Sequence, residues 1–104
     1  MNELDNVYRE YHNLTNMSYS ELLKWSKNPC SFKASLDRRP IERNLMLLKT
    51  PKSQWTQHHI NEAKKMISFE RRHSKAPAGK EVPGCGISKR TIARKNWAVD
   101  PNKR

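Results

Sequence analysis

The chain has 104 residues, 35% of them hydrophobic, and a mean hydropathy of −1.02. That is enough for one small domain with a thin core, and too little for a deep, desolvated catalytic pocket. With 21 Lys and Arg against 10 Asp and Glu, the formal net charge is +11, which argues for a polyanionic partner and, first among polyanions, nucleic acid.

The surplus is uneven. Residues 1–21 carry Glu3, Asp5, Glu10 and Glu21 against Arg9 alone, so the excess lies in residues 22–104. The N-terminal MNELDNVYREYH has neither the basic nor the apolar region of a signal peptide, and no segment approaches the ~18 apolar residues of a membrane span. The expected location is therefore the cytoplasm (host cytoplasm, nucleoid or virion if the chain is viral), with Cys30 and Cys85 as reduced thiols.

The first predicted helix runs from about Glu3 to His12. Asn2 is its N-cap, Asp5 lies in the first turn, and Leu4, Val7, Tyr8 and Tyr11 share one face. A second begins at Ser18, whose capping box with Glu21 is a specific start signal; it carries Leu22, Leu23 and Trp25 and ends before Pro29. Residues 28–39 lose all periodicity. Pro40 suits the first turn of a third helix, with Asp37 as a cap and Ile41, Leu45 and Leu48 as the inner face, stopped by Thr50-Pro51.

The fourth and longest helix spans about Thr56 to Ser74, with Trp55 before its cap and Ile60, Ala63, Met66, Ile67 and Glu70 at helical spacing. Lys75 to Gly86 (KAPAGKEVPGCG) reads as a turning linker. A short last helix follows from Ser88 to about Ala98, ended by Asp100-Pro101. The expected fold is all-α: a small irregular domain of four to five helices with long Pro/Gly-containing connections. Its parts are an acidic N-terminal helix (1–15), a helical core (16–75) and a basic C-terminal extension (76–104).

Three basic groups carry the candidate chemistry. On the fourth helix, Lys64, Arg71 and Lys75 form one stripe and Asn61, Lys65, Ser68 and Arg72 the next, both off the apolar face. Such a stripe suits a helix lying along a phosphate backbone, though a solvated, solubilising face has the same pattern. Lys33, Arg38, Arg39 and Arg43 lie around Pro40, and Arg38 and Arg39 precede a helix N-terminus, itself favourable to anions; a loop that is basic only because the whole chain is has the same pattern. Lys89, Arg90, Arg94 and Lys95 lie on the last helix.

The run GISKRTIARKNW resembles the recognition helix of helix-turn-helix regulators, which implies that Ser88, Arg90, Thr91 and Arg94 face DNA while Ile87, Ile92 and Trp97 pack inward. The supporting helix would occupy 75–84, where Pro77, Gly79, Pro83 and Gly84 stand, so a helix gripping phosphate without reading bases is the preferred expectation.

Cys30, His58, His59, His73 and Cys85 show no metal-ligand spacing, so no metal or cofactor is expected, and no motif indicates an enzyme. Trp25, Trp55 and Trp97 could stack on bases, but each lies beside an apolar face and reads first as core. The segments SELLKWSKNPCS, ASLDRRPIERNLMLLKTPKSQWT and ISKRTIARKNWAVDP resemble short basic proteins of tailed phages and other large DNA viruses over roughly residues 18–101. That resemblance implies a viral setting and brings no activity with it.

The combined expectation is a non-enzymatic nucleic-acid-binding protein, DNA ahead of RNA, that grips phosphates through the groups above. The rival is an adaptor or virion component docking onto a larger assembly through the first helix, with Tyr8 and Tyr11 as partner contacts. In that rival that helix could instead shield the basic face.

Overall fold

Capping chemistry sets where the helices begin. In the computed structural model, which describes residues 2–77 and 79–103, α1 spans Glu3–Leu14, α2 Tyr19–Ser26, α3 Arg39–Lys49, α4 Gln57–His73 and α5 Lys89–Asn96. The all-α expectation holds: among the described residues the sole β feature is an isolated bridge between Glu81 and Ser88. Asn2 accepts from the Asp5 amide (2.8 Å), and Ser18 and Glu21 form the reciprocal capping box. At α4 the Thr56 amide donates to His59 Nδ1 (3.0 Å), so an imidazole takes the place a glutamate usually fills. At α3 Arg38, not Asp37, is the N-cap residue; Asp37 Oδ1 accepts from the Arg39 amide one step outside it (3.0 Å).

Two apolar clusters form. The first gathers Val7 and Tyr11 of α1, Leu47 of α3, Trp55 just before α4, Ile60, Ala63, Met66 and Ile67 of α4, and Val99. The second gathers Met17, Leu22, Trp25, Ile41, Ile92 and Ala98. α3 bridges them, with its face rotated from the expected Ile41/Leu45/Leu48. Ile41, Asn44 and Leu47 are enclosed, while Leu45 and Leu48 are half-buried. Asn44 tolerates full burial because its oxygen accepts from Tyr11 Oη (2.8 Å) and its amide donates to the Pro40 carbonyl (2.8 Å).

Both ends of the chain are tied into this core. α1 lies along α4. Asn16 clasps the C-terminal segment: its side chain donates to the Asp100 carbonyl (2.9 Å) and accepts from the Asp100 amide (2.7 Å). The N-terminal and C-terminal parts distinguished in the sequence thus share the two clusters with the central one.

The linker from 74 to 88, of which Ala78 lies outside the described residues, turns as its composition suggests. The Cys85 amide bonds the Val82 carbonyl (3.0 Å), the Val82 amide bonds the Ile87 carbonyl (2.7 Å), and Gly84 and Gly86 take positive φ. The expectation of free thiols is overturned here. Cys30, in a 3-10 turn at Pro29–Phe32, and Cys85 are joined in a disulfide with Cα atoms 5.9 Å apart. Cys30, Val82 and Ile87 all pack on the second cluster, which brings the two turns together across 55 residues; nothing local in the sequence signals that.

Candidate nucleic-acid interface

Several of the cations expected to meet phosphate are engaged inside the fold. Arg38 donates to the Ser26 carbonyl (3.2 Å) and the Ser31 carbonyl (3.3 Å), with its guanidinium 3.9 Å from the Phe32 ring centroid. Arg43 pairs with the half-buried Glu62 (2.7 Å). Arg94 makes a two-pronged bond to Glu70, itself 5% exposed, at 3.0 and 2.5 Å. Lys95 lies 3.9 Å over the Trp25 ring. Arg39 is outward but paired with its neighbour Asp37 (3.0 Å).

The acidic helix neutralises part of the α4 stripe. Glu3 pairs with Lys64 and Glu10 with Arg71, a step of seven residues on each helix, so α1 and α4 run side by side in the same direction. Asp5 reaches Lys52 (2.5 Å). The neighbouring lysines hold the Glu3 and Asp5 carboxyls below their ordinary range.

The remaining outward cations line two recesses, with Lys64 paired to Glu3 and Lys65 to Glu62 (3.2 Å). Lys64, Lys65, Ser68 and Arg72 line a recess of about 410 Å³ on the outer side of α4, walled by Trp97. Arg72 leads to His73, whose Nδ1 lies 2.8 Å from Arg90 Nη1, and Arg90 Nε donates to the Pro77 carbonyl (2.9 Å). Lys80, Lys89 and Arg90 line a second recess together with Pro77, Val82 and the acidic Glu81. Among the described residues, Arg72, Lys75, Lys80, Lys89 and Arg90 make no ion pair with a carboxylate. Burial pushes the His73 imidazole below its usual pKa, and the Arg90 and Arg72 charges push it further. Lys80 had no local signal in the sequence; only the turn of the linker carries it to α5.

The helix-turn-helix pattern does not form. Residues 74–88 turn and bend, with no helix among those described, so nothing supports α5 as the first helix of such a motif would. Ser88 (4% exposed) and Thr91 (8%) face inward, hydrogen-bonded to each other (3.1 Å), and Arg94 is held by Glu70. The pattern failed because Ser88 serves as the α5 cap, accepting from the Thr91 amide (3.2 Å).

Tyr11, expected at a partner surface, is fully buried, and burial raises its phenol far above the usual range. Tyr8 is half-buried with its ring 5.0 Å from Trp55, edge to face. Among the described residues no three His, Cys, Asp or Glu side chains are grouped as metal ligands would be, and no helix is long and apolar enough to cross a membrane. Compared with protein-family models, with curated proteins and with solved structures, the chain gives no significant match to any of the three.

Proposed function

We propose that this protein is a non-enzymatic nucleic-acid-binding protein that holds a phosphate backbone along the band from Lys64 and Lys65 through Arg72 to Lys80, Lys89 and Arg90. The observation that carries the reading is that, among the described residues, Arg72, Lys80, Lys89 and Arg90 make no ion pair with a carboxylate, whereas Lys64 and Lys65 are paired with Glu3 and Glu62. The field of such a band attracts a polyanion at long range, and each phosphate engaged releases a condensed counterion. Because the contacts are charge to phosphate, binding is expected to be largely independent of sequence.

The adaptor reading draws less support, since Tyr11 is enclosed and α1 supplies core residues. The deciding measurement is binding of labelled DNA and RNA across a salt series. With four to six phosphates engaged, the log–log slope should be roughly −3 to −5. Lys65→Ala/Arg72→Ala/Lys89→Ala should flatten it by about 2 to 3. A slope near zero, or one unmoved by the triple substitution, would refute the reading.

A further inference from the structure

We infer that the Cys30–Cys85 bridge is a redox latch: a dithiol reductant opens it and frees the stretch around Cys85 while α1 to α5 stay packed, so that polyanion affinity answers to the thiol state of the chain; the last step rests on the reading above. The two sides of the bridge are held differently. Cys30 stands in a turn built into the core. Asn28 Oδ1 accepts from its amide (2.9 Å), and its carbonyl accepts from the Lys33 amide (3.0 Å). The next residue, Ser31, is fully buried. The Ser31 carbonyl accepts from the Asn96 amide group of α5 (3.0 Å) and from Arg38 (3.3 Å), and Asn96 Oδ1 accepts from the Trp25 indole (2.7 Å). None of these bonds involves a sulfur, so this side keeps its place when the bridge opens.

Cys85 has no such setting. Among the described residues, the 79–87 stretch is held by the Cys85–Val82 and Val82–Ile87 backbone bonds, the Glu81–Ser88 bridge and the half-buried packing of Val82 and Ile87. Gly84 and Gly86, at positive φ beside the bridge, gain more freedom on release than other residues would. α5 does not follow, because Ser88 caps it and Ile92 and Asn96 are enclosed. Both cysteines are half-buried, and such a bridge is open to attack where an enclosed one is not. A thiolate of the reductant attacks one sulfur, the Sγ–Sγ bond breaks, and the other cysteine leaves as a thiolate. The reductant's second thiolate then attacks the mixed disulfide, closes its own disulfide and expels the remaining cysteine. Two electrons and two protons pass from the dithiol to the protein. The exposed Lys80, which makes no ion pair with a carboxylate, then rides on a loosened loop that a bound strand must order again.

The test uses the full chain as isolated, and after reduction by dithiothreitol with the thiols blocked by iodoacetamide, beside Cys30→Ser/Cys85→Ser. Brief trypsin digestion read by mass should cut after Lys80 at least about ten-fold faster in the reduced and substituted chains, because cleavage follows the open population of the segment. Far-UV circular dichroism should keep its helical signal in all three. Duplex DNA at low salt should bind the reduced chain at least about three-fold more weakly, the order of the ordering cost of one long side chain, and Lys80→Ala should bind equally in both states. Equal rates of cleavage after Lys80 overturn the latch, and so does loss of the helical signal on reduction, which would make the bridge a support of the whole fold. Faster cleavage with unchanged affinity overturns the link to binding. Absence of DNA binding in both states removes the reading of the basic side chains, and the cleavage ratio alone then decides the latch.

Discussion

Replacing both cysteines, Cys30→Ser/Cys85→Ser, tests the largest single constraint on this fold. The bridge closes a loop across 55 residues. Loop-closure entropy for that length corresponds to about 4 kcal/mol of stabilisation at 25 °C, acting through the unfolded chain. A domain of this size has about 5–15 kcal/mol in all, so the loss is a large fraction of the total. It should lower Tm by roughly 15–30 °C. The effect is sharpened by what the bridge holds: the 74–88 segment is otherwise tied by a few turn hydrogen bonds, the Arg90–Pro77 contact and the packing of Val82 and Ile87. Urea unfolding of the wild-type chain with and without a dithiol reductant, beside the double variant, is the assay. Reductant should shift the wild-type midpoint to that of the variant and leave the variant unmoved. A loss below about 1 kcal/mol would refute the reasoning, as would two titratable thiols in the native, unreduced chain.

Three further perturbations address other parts of the structure. Glu3→Gln/Glu10→Gln frees Lys64 and Arg71, and should tighten polyanion binding and steepen the salt slope by up to about 2; unchanged binding would mean these cations do not face the ligand. Tyr11→Phe leaves the buried Asn44 oxygen without its donor and should cost about 1–3 kcal/mol by chemical denaturation, with no effect on DNA affinity. The His12 and His73 imidazoles are held below their usual pKa, His12 by burial and His73 by burial and then Arg90 and Arg72. The folded state therefore disfavours their protonated forms: stability should be complete above the ordinary value of 6.5 and decline as pH falls below it, and His73→Gln should remove part of that decline. A urea midpoint equal or higher at about pH 5 than at about pH 7.5 would contradict it.

The helices were legible because their signals are local. Ser18 and Glu21 announce α2 within four residues, and the spacing of Ile60, Ala63 and Ile67 fixes the inner face of α4. The α3 face was misjudged because hydropathy ranks Leu45 above Asn44. It cannot register that a tyrosine hydroxyl 33 residues away satisfies the asparagine. The disulfide was invisible for the same reason: Cys30 and Cys85 meet only because two turns pack on one cluster. The basic stripe of α4 was readable from spacing. Which of its members remain outward was not, since that depends on α1 lying parallel to α4 and bringing Glu3 and Glu10 to Lys64 and Arg71.

The division between arginine and lysine carries the functional argument further than net charge does. The cations drawn into the structure are mainly arginines: Arg38 across two carbonyls and a phenyl ring, Arg43 on Glu62, Arg94 in a fork on Glu70. A planar guanidinium suits those places, because it satisfies several fixed acceptors at once. The exposed cations around α4 and the 74–88 segment are mainly lysine, Lys64, Lys65, Lys75, Lys80 and Lys89 with Arg72, while Arg90 is half-buried and held by the Pro77 carbonyl. An ammonium on a flexible stem follows a phosphate wherever it lies and imposes no register on the strand. On the proposed reading, cations of that kind hold a backbone without selecting its sequence.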